Sequence, residues 1–168
     1  MALIDPDVAA SLPRNAVAAT GFDCTTAFCL SRIGDKGYSI YLEIFGGGYG
    51  GKVTLGGLIS GSGGMVKTSP GTLQINNFNN TYTGGTVLNN GTVTFPAGSG
   101  SATPFFGTGP ITINANANLS VNRTVLSNAM TWNGCMISGG NSFSSVFSGP
   151  VTLNDIITVS MGTTGGLQ

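Results

Sequence analysis

The residues that could do chemistry are few, and most gather in the first third of the chain. Gly46, Gly48 and Gly51 have the spacing of a dinucleotide-binding glycine fingerprint, and Gly46 to Gly51-Lys52 nearly spells a phosphate-binding loop. A phosphate loop needs a hydroxyl residue after its lysine to reach Mg²⁺, and Val53 stands there. Both motifs need a helix whose N-terminus faces the phosphate, and Val53-Thr54-Leu55-Gly56-Gly57 is no helix start. The glycine run therefore reads as a turn. Asp5 and Asp7 could pair as carboxylates, but Asp5-Pro6 reads more simply as a helix cap and first turn. Glu43 could act as a base only with partners the sequence does not name. Asp155 is the only acid after residue 51, too few for glycoside cleavage or a Ca²⁺ cluster. Histidine is absent, which removes the commonest general base and zinc ligand. Cys24, Cys29 and Cys135 lack metal-type spacing and read as inert buried thiols. On a strand, Cys24 and Cys29 would lie about 16 Å apart on opposite faces, which argues against a local disulfide. No catalytic, cofactor-binding or metal-ligating residue is assigned, and no cofactor is expected. Tyr82 and Trp132 could stack on sugars if exposed, although a core or corner place is the plainer reading. Asn90, Asn118 and Asn122 head formal glycosylation sequons and read as incidental.

Composition narrows the partners. Six basic and six acidic residues leave no net charge, which argues against nucleic acid or anionic lipid. Disorder is disfavoured because 40% of the chain is hydrophobic. The 28 glycines, with many Asn, Thr and Ser, point to an all-β chain rich in tight turns. Met1 to Ala10 lacks the basic start of a signal peptide, and no run of 18 apolar residues would span a membrane as a helix.

The elements that would position these residues fall into two segments. Asp5, Asp7, Arg14, Asp23, Arg32, Asp35, Lys36 and Glu43 lie in residues 1–51, whereas residues 52–168 hold only Lys52, Lys67, Arg123 and Asp155. The boundary is placed at Gly46–Lys52. In the first segment, Phe22 to Ile33 and Tyr38 to Phe45 alternate around Gly34-Asp35-Lys36-Gly37, the pattern of a β-hairpin. In the second, strand-like pieces recur about Thr72, Thr92, Thr112, Thr131 and Thr152, at steps of 20, 20, 19 and 21 residues. Pro110-Ile111-Thr112-Ile113 is echoed 40 residues later by Pro150-Val151-Thr152-Leu153. A period near twenty predicts a parallel β-solenoid with outward threonines. Leu73, Ile75, Val93, Phe95, Ile111, Ile113, Val151 and Leu153 are expected to stack inside it. Its edge strands are expected to pair with neighbouring repeats.

Gly61-Ser62-Gly63-Gly64-Met65-Val66-Lys67-Thr68, Gly71-Thr72-Leu73-Gln74-Ile75, Asn80-Thr81-Tyr82-Thr83-Gly84-Gly85-Thr86-Val87 and Asn90-Gly91-Thr92-Val93 together resemble the autotransporter-associated β-strand repeat. The likeness is close over 61–95 and looser over 96–168. It implies a right-handed parallel β-helix in a secreted or cell-surface passenger domain, acting as a scaffold without catalytic residues. Its partner would be an extracellular glycan or protein. Ile4-Asp5-Pro6-Asp7-Val8-Ala9-Ala10, Asn15-Ala16-Val17-Ala18-Ala19 and Tyr38-Ser39-Ile40-Tyr41-Leu42-Glu43-Ile44-Phe45-Gly46-Gly47-Gly48-Tyr49-Gly50 resemble a stretch of the hydantoinase B/oxoprolinase family. That likeness implies a fragment of an amidohydrolase, without counterparts of the family's acidic and histidine metal ligands.

Overall fold

The computed structural model describes residues 51–96, 104–122, 124–139 and 145–162, and the backbone of 17–19 and 40–43. Thirteen strands are formed among them: β1 (Val17–Ala19), β2 (Ile40–Glu43), β3 (Lys52–Leu55), β4 (Met65–Lys67), β5 (Thr72–Ile75), β6 (Thr86–Thr94), β7 (Ile111–Val121), β8 (Val125–Leu126), β9 (Met130–Asn133), β10 (Met136–Gly139), β11 (Val146–Phe147), β12 (Val151–Leu153) and β13 (Thr158–Met161). Every pairing is parallel, as a solenoid requires.

Two long faces share each turn. On the first, Ile40, Met65, Thr86, Ile111, Met130 and Val151 stand in register, at steps of 25, 21, 25, 19 and 21 residues. On the second, Lys52, Thr72, Thr92, Asn118, Met136 and Thr158 follow at steps of 20, 20, 26, 18 and 22. β6 and β7 run through the corner between the faces, where one extra residue of β7 makes a bulge after Leu88. The third side is built from β8 and β11 and from rung-to-rung bonds such as Thr81 N to Ile59 O (2.9 Å) and Thr108 N to Tyr82 O (2.9 Å).

The interior follows from strand alternation. Val53, Leu73, Val93, Leu119 and Ile137 form one buried column, with Thr or Ser alternating outward at positions such as Thr54, Thr94 and Ser120. Phe95, Phe105 and Phe106 fill the third side, with Phe95 and Phe105 centroids 4.4 Å apart. Leu73→Ala in the middle of the column should cost about 2–5 kcal/mol, read as a lower urea midpoint.

Three expectations change on this geometry. The five threonines are two ladders on different faces. Thr72 pairs with Thr92, but Thr92 pairs with Asn118, while Thr112, Thr131 and Thr152 run up the first face from Val87. The step from Thr92 to Thr112 thus runs within the chain and is no rung, because the segment before β7 lengthens that turn. Second, Tyr41 and Leu42 of β2 have parallel partners on both edges, in β1 and β4. Neither edge is left for a hairpin strand there, and the expected first strand, Phe22 to Ile33, lies outside the described residues. Alternation reports a strand's period but not the direction of its neighbours. Third, Val151 and Leu153 are exposed, Leu153 at 61%, because among the described residues β12 has a partner only on its β9 side. Leu73, Val93 and Ile111 do share one core, without Leu153. The Pro110 and Pro150 echo holds, since Pro110 O accepts from Thr86 N and Pro150 O from Met130 N at the same corner.

Candidate functional site

The polar residues that the fold gathers serve its corners. Asn80 is fully buried. Its Oδ1 accepts from Ile59 N (2.9 Å), and its Nδ2 donates to Asn77 O (3.0 Å) and Phe105 O (2.7 Å). One carboxamide thus joins three successive turns. Asn128 repeats the device higher up, donating to Gly107 O (3.1 Å) and Gly109 O (2.8 Å). On the outside of the bend, Asn114 donates to Asn89 (2.6 Å), Asn133 to Asn114 (2.7 Å) and Asn154 to Asn133 (2.9 Å).

Lys67 is the unexpected member. It lies inward on β4, in a column otherwise made of Leu88, Ile113, Trp132 and Leu153, and is fully buried. Its Nζ donates to Ser69 O (2.5 Å) in its own corner and to Asn90 O (2.8 Å) in the next. Burial pulls its pKa down to about 8.

The residues singled out in the sequence do not converge. Lys52 opens strand β3 and is exposed, so no helix follows the glycine run. Gly46 and Gly48, like Asp5, Asp7, Cys24 and Cys29, lie outside the described residues, as does the Glu43 side chain. Asp155 is exposed, and its Oδ1 accepts from Ile156 N (2.7 Å). Cys135 is a free, buried thiol whose pKa burial raises. Among the described residues no three His, Cys, Asp or Glu gather as a metal site, and no helix is long and apolar enough to cross a membrane.

Tyr82 and Trp132 are buried, which withdraws them as a sugar-stacking pair. Tyr82 is 1% exposed and shares a 2.5 Å hydrogen bond with Thr86 Oγ1, and burial pushes its phenol well above the usual range. Trp132 is 8% exposed and packs edge-on against Phe147 at 5.1 Å. As the chain's one tryptophan, it should emit at short wavelength and stay unmoved when oligosaccharides are added, a titration read by fluorescence. Of the sequons, Asn90 gives its backbone carbonyl to Lys67, Asn118 Oδ1 accepts from Ser138 Oγ (2.9 Å), and Asn122 Oδ1 is buried without a hydrogen-bond partner among the described residues.

The buried asparagines and Lys67 escape a hydropathy reading because polar residues score as surface. The outer asparagines carried a usable signal: Asn89, Asn114, Asn133 and Asn154 are spaced by 25, 19 and 21 residues, as is the first face itself.

No curated protein and no solved structure matches the chain. A family model described as Passenger-associated-transport-repeat matches residues 65–95. The matched span runs from β4 through the Gly84-Gly85 corner to the end of β6, and includes Lys67, Asn80 and Gly91. Residues 65–95 therefore match the passenger-associated transport repeat, and they fold as two successive rungs of a parallel β-solenoid.

Proposed function

We propose that this chain is a non-catalytic structural segment of a secreted or surface-exposed autotransporter-like protein, a stiff rod that holds other domains away from the cell. The observation that carries this reading is the passenger-repeat match on rungs whose inward columns are closed and whose polar groups are spent on corners. Each turn is bonded to its neighbours along the backbone on three sides, so bending the rod would break many hydrogen bonds together. The outward faces are Thr, Ser and Asn with almost no charge, which suits a spacer better than a steering surface. Neighbouring repeats are the partners that the edges of β12 and β13 suit, since Val151, Leu153, Val159 and Met161 stand exposed there.

The test is display. Placed upstream of a translocating β-barrel, the chain should reach the outer surface of the cell as a fragment resistant to external protease, and Leu73→Asp should remove that resistance. Retention of the wild-type fusion inside the cell, or its digestion at the rate of Leu73→Asp, would defeat the reading. The purified chain should hydrolyse cyclic amides no faster than buffer does. Measured turnover would move the assignment to a hydantoinase-type fragment.

A further inference from the structure

Lys67 occupies a position where its column neighbours are apolar, and the surrounding backbone explains why. At this corner both adjacent turns send carbonyls inward. Thr68-Ser69-Pro70-Gly71 closes one turn and Asn89-Asn90-Gly91 the next. Buried carbonyls without donors are costly, and a lysine ammonium brings three donors in a compact head. Nζ takes Ser69 O at 2.5 Å and Asn90 O at 2.8 Å, one from each turn. Gly91 completes the enclosure. It sits at φ +75°, and a Cβ there would strike Nζ and lie 2.5 Å from both Ser69 O and Gly71 O. The cup has room for a small cationic head and for nothing on the Gly91 side.

We propose that this corner is a primary-ammonium binding site, walled by the backbone carbonyls of Ser69 and Asn90 and the bare Cα of Gly91, which Lys67 fills in cis to hold two turns in register. The site neither rests on the rod reading nor depends on export. The ligand class follows from the donors: a primary ammonium can meet several carbonyls at once, while a quaternary one has no N–H to give.

The elements packed on Lys67 supply no counter-ion among the described side chains. Leu88 of β6 stands next to it on one side and Leu42 of β2 on the other. β2 also carries Tyr41 and Glu43, at register positions flanking Leu42. Folding therefore lowers the affinity of Nζ for its proton from the ordinary 10.5 to about 8. The unfolded chain holds the proton more tightly, so the destabilisation is full below pH 8 and is relieved as pH rises toward 10.5.

Two variants test the site by urea unfolding. Between pH 8 and 10 the wild-type folding constant should rise relative to that of Lys67→Met by roughly tens of fold, from the linkage of one such group. Tyr82 and Cys135 cancel in this difference, and the rise should survive Glu43→Gln. Lys67→Ala should lose stability and regain part of it with millimolar propylammonium but none with tetramethylammonium. Failure of propylammonium to restore any stability to Lys67→Ala would overturn the proposal. So would equal rescue by both cations. If Lys67→Ala does not fold by itself, refolding it from urea with each cation present decides: recovery with propylammonium only supports the site, and recovery with neither or with both overturns it.

Discussion

Gly107→Ala should lower stability by several kcal/mol, far more than Gly134→Ala, although both glycines have positive φ. Gly107 lies at φ +61° and Gly134 at +67°, so each alanine bears the left-handed strain of an L residue, about 1–2 kcal/mol. Their surroundings differ. A Cβ on Gly107 would overlap the Tyr82 carbonyl oxygen and come within 3.0 Å of the Tyr82 carbonyl carbon and ring. On Gly134 the nearest atom is Asp155 Oδ2, an exposed side-chain end at 3.3 Å that can swing aside. The clash at Gly107 sets the new methyl against backbone across one rung spacing, beside the Thr108 N to Tyr82 O bond. Relief requires the turns to separate there, which breaks rung-to-rung bonds. Gly107→Val should do worse still, since a β-branched residue is an outlier at that φ. Urea midpoints for the two alanine variants would check this, and equal losses would show that backbone strain alone governs the corners.

Asn80→Ala should cost about 3–5 kcal/mol, from a buried donor and acceptors left without partners at ~1–3 kcal/mol each. Removal of the carboxamide strands Ile59 N–H and Phe105 O in the interior, together with the bond to Asn77 O. Asn80→Asp separates the roles. The aspartate can still accept from Ile59 N, but an ionised carboxylate repels the carbonyls of Asn77 and Phe105. Its stability relative to wild type should therefore fall as pH rises through the carboxylate range. Asn128→Ala, which strands Gly107 O and Gly109 O but no N–H, should cost less. Thermal melts at pH 4 and pH 7 would separate the three.

The solenoid could be read from the chain because its apolar residues obey the period of two along strands and recur about every twenty residues. Leu73 and Val93, or Ile111 and Ile113, are inward by alternation alone. What the threonines hid was the number of faces. A turn of about twenty residues carries two strands whose register positions lie 6 or 7 residues apart, as at Thr86 and Thr92 or Met65 and Thr72, so a lengthened passage can carry the repeat from one face to the other without breaking the twenty-residue step. The longer passage from β6 to β7 made that hop invisible. Lys67 and Asn80 were hidden for another reason. They satisfy backbone groups that exist only after the corners have formed, and no residue count shows where a carbonyl will point. The proposed display role rests mainly on resemblance, and the 65–95 match falls where that resemblance is closest.

The outer row of carboxamides gives the rod a head and a tail. From Asn114 to Asn154 every amide hands its hydrogen to the carbonyl on the preceding turn, so the group dipoles add instead of cancelling, and each bond polarises the next. The row closes on Asn89 as an acceptor, while Asn154 Oδ1 has no donor from a further asparagine among the described residues and ends the row. A handrail of this kind can be lengthened only by a rung that arrives donor first, so it imposes a one-way grammar on whatever stacks above Asn154.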